Sequence, residues 1–189
     1  MGIKVKVKGA RVGSLDVFAA REFEKGDGKP RYNFTAIVTP GTEADKAIEA
    51  AIEAVAKDAW GAKAPEKLVE FRGNPKRCYA PGSIKNYEGY EGNKILSAHR
   101  AVSQGAPRIL AADGKSLLRA EDGLPYRGSY VVLYAELYAL TTGKFQGIYA
   151  SFSDVQFMKH GDAFGGGFVA PDQIEDLSDG AAADADFGL

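Results

Sequence analysis

With 189 residues, 45% of them hydrophobic and 11% aromatic, the chain is long enough to bury one sizeable core. Its formal charge of −1 conceals two opposite parts: residues 172–189 hold six acidic side chains and no Lys or Arg, which leaves the remainder at +5, an asymmetry that suits a nucleic-acid or membrane surface with an acidic arm. A lone Cys78 beside only His99 and His160 excludes an internal disulfide and a zinc-ligand cluster, and the start "MGIKVKVKGARVG" carries neither an apolar signal segment nor a myristoylation motif, so no metal, no cofactor, no membrane and a cytoplasmic setting are expected.

After a basic N-terminal segment, "RYNFTAIVTP" alternates Tyr32, Phe34, Ala36 and Val38 against Asn33, Thr35 and Ile37, with Pro40 as a stop, and predicts a strand. In "TEADKAIEAAIEAVAKDAWG", Ile48, Ile52, Val55 and Ala59 recur at helical steps behind Thr42 as N-cap, with Gly61 and Pro65 beyond the end. This is the one helix the pattern predicts, its apolar face laid on a sheet. From Phe71 to Lys94 the glycines and prolines imply a long loop or irregular hairpin. "KILSAHRAV" and "PRILAADG" read as short strands, and "GSYVVLYAELYAL" and "KFQGIYASFSDVQFMKH", joined by "TTGK", as a hairpin. The fold class expected is mainly β with one inserted α-helix, a small barrel or sandwich, over residues 1–171, followed by a flexible acidic tail at 172–189.

Enzyme signatures fail one by one. "GKS" at Gly114–Ser116 lacks the first glycine of a phosphate-binding loop, since Ile109 stands there, and "GDAFGGGF" precedes no helix. Acids do not cluster as a two-metal site would need, and two histidines leave little for a nucleophile triad. What remains is basic and aromatic. The 71–94 segment interleaves Arg72, Lys76, Arg77, Lys85 and Lys94 with Tyr79, Tyr87 and Tyr90. Cations neutralise phosphates, and flat rings give unpaired bases a stacking surface, a combination that single strands need. The alternative is that these tyrosines pin the loop while the cations solubilise it. On the second-last strand, Val131, Leu133, Ala135 and Leu137 face the core, and Tyr130, Val132, Tyr134, Glu136 and Tyr138 face the other way. Tyr130, near Arg127, and Tyr134 are candidates for stacking bases or for being covered by other elements.

The runs "GYEGNKILSAHR", "PRIL", "YRGSYVVLYAELYAL" and "GKFQGIYASFSDVQFMKHGDAFGGG", in that order, resemble the tailed-bacteriophage single-stranded DNA-binding proteins long catalogued as a phage family of unknown function. The likeness extends over roughly residues 10–168. It implies an oligonucleotide-binding fold, a five-stranded Greek-key barrel with elaborations, and a non-enzymatic protein that coats single-stranded DNA in replication or recombination in the cytoplasm of an infected bacterium, as a monomer or weak homodimer. It also implies that "DADFGL", with Asp184, Asp186 and Phe187, is an acidic arm that recruits partner proteins, although Phe187 is followed by Gly188 and Leu189 where the commonest arms end on the aromatic. An RNA-binding module of the same fold, and a phage adaptor or structural protein docking an acidic partner, are the competing readings.

Overall fold

The computed structural model describes residues 1–22, 27–72, 74 and 76–165. The basic N-terminal segment is a strand, β1 (Ile3–Arg21), the longest of the described elements. Val5 and Val7 point into the core while Lys4, Lys6 and Lys8 point out, the period-two pattern of a half-buried strand. At Gly9 (φ +80°) the register with its neighbour slips by one residue, so that Ala10 and Val12 again face inward. β1 pairs antiparallel with β2 (Arg31–Val38) through its second half and with β6 (Tyr130–Leu140) through its first.

Five strands close into a barrel. β2 pairs with β4 (Lys94–Ala101), β6 with β7 (Gly147–Lys159), and a parallel contact between His99 and Ser151 joins β4 to β7. The circuit β1-β2-β4-β7-β6 is that of an oligonucleotide-binding fold, the expected Greek-key barrel. Two three-residue strands, β3 (Tyr79–Pro81) on β4 and β5 (Arg108–Leu110) on β7, extend it. Val7, Val12, Phe34, Ala36, Leu96, Leu133, Leu137, Ile148 and Phe152 are buried inside, with the Phe34 and Phe152 rings 6.0 Å apart.

Between β2 and β3 lies α1 (Glu43–Trp60), capped by Thr42, whose side chain accepts from the Asp45 amide, and packed on β1 and β6 through Ile48, Ile52 and Val55. The helical stretch does not stop at Gly61 as the sequence suggests. A single 3₁₀ turn leads into α2 (Ala64–Phe71), where Pro65 occupies the first turn, a position at which its missing N–H costs nothing. No helix among the described residues is long and apolar enough to cross a membrane.

Candidate nucleic-acid interface

On the outer surface of β1, β2 and β4 lies an open cleft of about 560 Å³. Its floor is polar: Ser14 donates to the Thr35 hydroxyl at 2.9 Å, and Asn33, Ser97 and His99 continue the row across the strands. Burial, followed by the nearby Arg31 charge, holds the His99 pKa below the ordinary histidine value, so the ring is neutral at pH 7. Tyr138 lies 3.4 Å from His99 Nε2.

The rim comes from the 82–93 loop and from the turn before β6. Tyr90 is buried against Ile37 and Ile95, with Phe164 packed beside them. Gly13 makes room for it, because a Cβ there would stand 2.6 Å from the Tyr90 hydroxyl. Burial raises the Tyr90 pKa, partly offset by Thr35, Arg127 and Ser14. Tyr87 meets Tyr90 edge-to-face, centroids 5.3 Å apart, and is itself 58% exposed. One tyrosine is thus a pedestal and the other a free face beside the cleft. Lys85 and Arg21 line the same cleft, and Arg127, whose Nε donates to the Gly13 carbonyl at 3.0 Å, closes one end. Flat faces, cations and a polar floor are what an unpaired strand requires.

Of the residues singled out in the sequence, Lys85, Tyr87, Tyr90 and Arg127 come together here. Others do not. Tyr79 is buried at 1% exposure and donates to Asp45 at 2.9 Å, so its ring offers no face to a ligand. Lys94 reaches Asp45 at 2.7 Å and Glu49 at 3.4 Å on α1, and Arg77 pairs with Glu49. These three turn inward and tie the loop and β4 to the helix. Arg72, at the end of α2, is exposed, and Lys76 is half-buried, its carbonyl accepting from the Ile148 amide. Tyr130 and Tyr134 lie on the outside of β6, away from the cleft. Lys159 and Arg11 sit over the Tyr130 ring at 4.9 and 5.3 Å, and Lys6 over the Tyr134 ring at 5.9 Å. Asp184, Asp186 and Phe187 lie outside the described residues.

Sequence reasoning missed Arg21, Asn33 and His99, which reach the cleft from three different strands. Phe145, 62% exposed beside Lys144 in the β6–β7 turn, is not among the residues that line the cleft. In barrels of this topology the second and third strands and the turns flanking them form the usual ligand face. The cleft lies over those strands.

Residues 3–187 match the family described as Enterobacter phage Enc34, ssDNA-binding protein. Protein p50 of Acyrthosiphon pisum secondary endosymbiont phage 1 is 36% identical over 181 residues, 93% of this chain and 95% of that protein. Among solved structures, the single-stranded DNA-binding protein of bacteriophage Enc34 in complex with ssDNA superposes with a TM-score of 0.67 at 20% identity, covering 86% of this chain and 89% of that one. For gp2.5, a single-stranded DNA-binding protein encoded by bacteriophage T7, the TM-score is 0.59 at 12% identity, covering 100% and 98%. At such identities the structural likeness speaks for the fold.

Proposed function

The chain belongs to the family of the Enterobacter phage Enc34 single-stranded DNA-binding protein, and from that membership we propose that it binds single-stranded DNA in the β2–β4 cleft with little sequence preference. The observation that carries the reading is Tyr87, standing exposed on buried Tyr90 between Lys85 and Arg127 above a polar floor. Stacking on such a ring accepts any base, and the cations neutralise phosphate without reading sequence. Binding the unpaired strand and not the duplex melts short hairpins by mass action, a non-enzymatic role in phage replication or recombination in the host cytoplasm.

The described chain ends at Gly165, on the rim of this cleft: Phe164 donates its amide to the Arg127 carbonyl at 3.0 Å and Gly165 donates to Glu88. The acidic segment 172–189 therefore begins only a few residues from the site. Carboxylates imitate phosphates, and the proposed tail competes for the cleft until DNA displaces it, after which Asp184, Asp186 and Phe187 are free for a replication or recombination protein.

Titration of labelled single-stranded DNA, duplex DNA and RNA across a salt series tests the reading. Tight, salt-sensitive binding of single-stranded DNA with weaker duplex binding supports it. Equal affinity for duplex at matched salt refutes it, preference for RNA would replace it with the RNA-binding module, and no nucleic-acid binding would favour an adaptor.

A further inference from the structure

On the opposite side of β1 from the cleft floor's partners, the first half of the strand presents a second basic feature. Lys4, Lys6 and Lys8 are all exposed, and none of the three makes an ion pair among the described residues. As alternate strand residues they stand about 6.8 Å apart on one face, a repeat comparable with the phosphate spacing of an extended single strand. Arg11 follows on the same outward face after the Gly9 bulge. Across the ladder Lys8 pairs with Val132, Lys6 with Tyr134 and Arg11 with Tyr130, and Lys159 flanks Tyr130 from β7.

The aromatic rings here are used differently from Tyr87. Tyr130 lies within cation–π range of both Arg11 and Lys159, and the Tyr134 ring holds Lys6 while its hydroxyl donates to Gln156 at 3.2 Å. Rings occupied by cations hold positive charge in place along the sheet and offer little to bases. Among the described residues, the acids near this row are Asp154, Glu136 and Asp162, the last at the Arg11 end. Asp154 is neutralised by Arg108, Glu136 stands opposite Lys4 and Asp162 lies beside Arg11, so the charge is least opposed at Lys6 and Lys8.

This row leads to the cleft along one strand. Arg11 is two residues from Gly13, which lines the cleft, and its Nε donates to the Gly128 carbonyl next to Arg127 at 3.0 Å. Among the described residues, the 161–165 segment crosses between them, held by Arg11 Nη2 on the Asp162 carbonyl, by the Phe164 ring over the Arg11 guanidinium at 4.3 Å and by the Phe164 amide on Arg127. We propose that Lys4, Lys6 and Lys8 form a phosphate track, joined to the cleft through the fixed Arg11 guanidinium, that takes the backbone of single-stranded DNA where it leaves the cleft past Arg127, extending the site by contacts that involve no base. The proposal rests on single-stranded DNA binding in the cleft.

The test is fluorescence anisotropy of full-length protein and its K4A/K6A/K8A variant with oligonucleotides of about 6 and about 16 nucleotides, the span covered by barrels of this kind. A K46A/K57A/K63A variant, which removes equal charge from the helical side, is the control. The expected result is short-strand affinity kept within about twofold, long-strand affinity reduced about tenfold at low salt, and a salt slope lower by about 2, three contacts at roughly 0.7 each. Unchanged long-strand binding, an equal loss at both lengths, or the same loss in the control overturns the track while leaving the cleft in place. Failure of the unaltered protein to bind either oligonucleotide overturns the cleft reading and the track together.

Discussion

Tyr87 and Tyr90 are three residues apart and answer to different forces. Tyr87→Ala removes an exposed ring beside the cleft, so single-stranded DNA affinity should fall by about 1–3 kcal/mol with the thermal midpoint nearly unchanged. Tyr90→Ala opens a cavity under the loop and should cost stability on the scale of a buried phenylalanine, roughly 3–5 kcal/mol. Anisotropy titrations and thermal melts of both variants check the pair. A binding loss for Tyr87→Ala no larger than that of a surface control would move the stacking site elsewhere. Lys85→Ala should lower the salt slope by about 0.7, one single-strand phosphate contact, at every oligonucleotide length. Tyr79→Phe, by contrast, removes a buried hydrogen bond to Asp45 and should cost about 1 kcal/mol of stability with DNA affinity unaltered.

The joint between α1 and the β3–β4 edge is an ion-pair network centred on Asp45. Burial opposes the Asp45 charge, but Lys94, the Gly41 amide and the Tyr79 hydroxyl outweigh it and hold the pKa below the ordinary aspartate value. Because the folded value lies below the unfolded one, about 3.9, this carboxylate stabilises the fold above that pH and the contribution is lost as pH falls through the folded pKa. Asp45→Asn should therefore lower stability at neutral pH and flatten the decline of the melting temperature below about pH 4. An acid limb as steep as that of the unaltered protein would assign the loss to other carboxylates. The same network explains what sequence reading could and could not see. Alternation along β6 correctly sent Val131, Leu133, Ala135 and Leu137 inward, because the period of a strand is local. The β1 strand was overlooked because lysines fill its outward positions and Gly9 and Gly13 resemble breakers, although they mark a bulge and a close approach to Tyr90. Likewise Arg77, Tyr79 and Lys94 looked like neighbours of Tyr87 along the chain, whereas their partners, Asp45 and Glu49, lie on a helix tens of residues earlier. The cleft itself draws on three strands, a loop and a turn, and it is the pairing of β1 with β2 and of β2 with β4 that sets Arg21, Asn33 and His99 side by side beneath Lys85.

For the whole molecule, the governing feature is a basic body joined to an acidic segment. Removing residues 172–189 takes away six carboxylates and shifts the formal charge from −1 to +5. The truncated protein should bind single-stranded DNA more tightly, most of all at low ionic strength where screening is weakest. Phe187→Ala keeps the charge and should keep the DNA affinity while weakening capture of a replication or recombination partner. No tightening on truncation would leave the segment as a partner tag that never enters the cleft. The location of the bound strand tests the account most directly: an oligonucleotide carrying a photoreactive thymine analogue is irradiated with the full-length protein, and the adducts are mapped by peptide mass spectrometry. The account predicts adducts concentrated on Tyr87 and the neighbouring rim of the cleft, lost when unlabelled single strand competes. Adducts confined to the α1–α2 side, with none at the cleft under conditions of saturated binding, would contradict it.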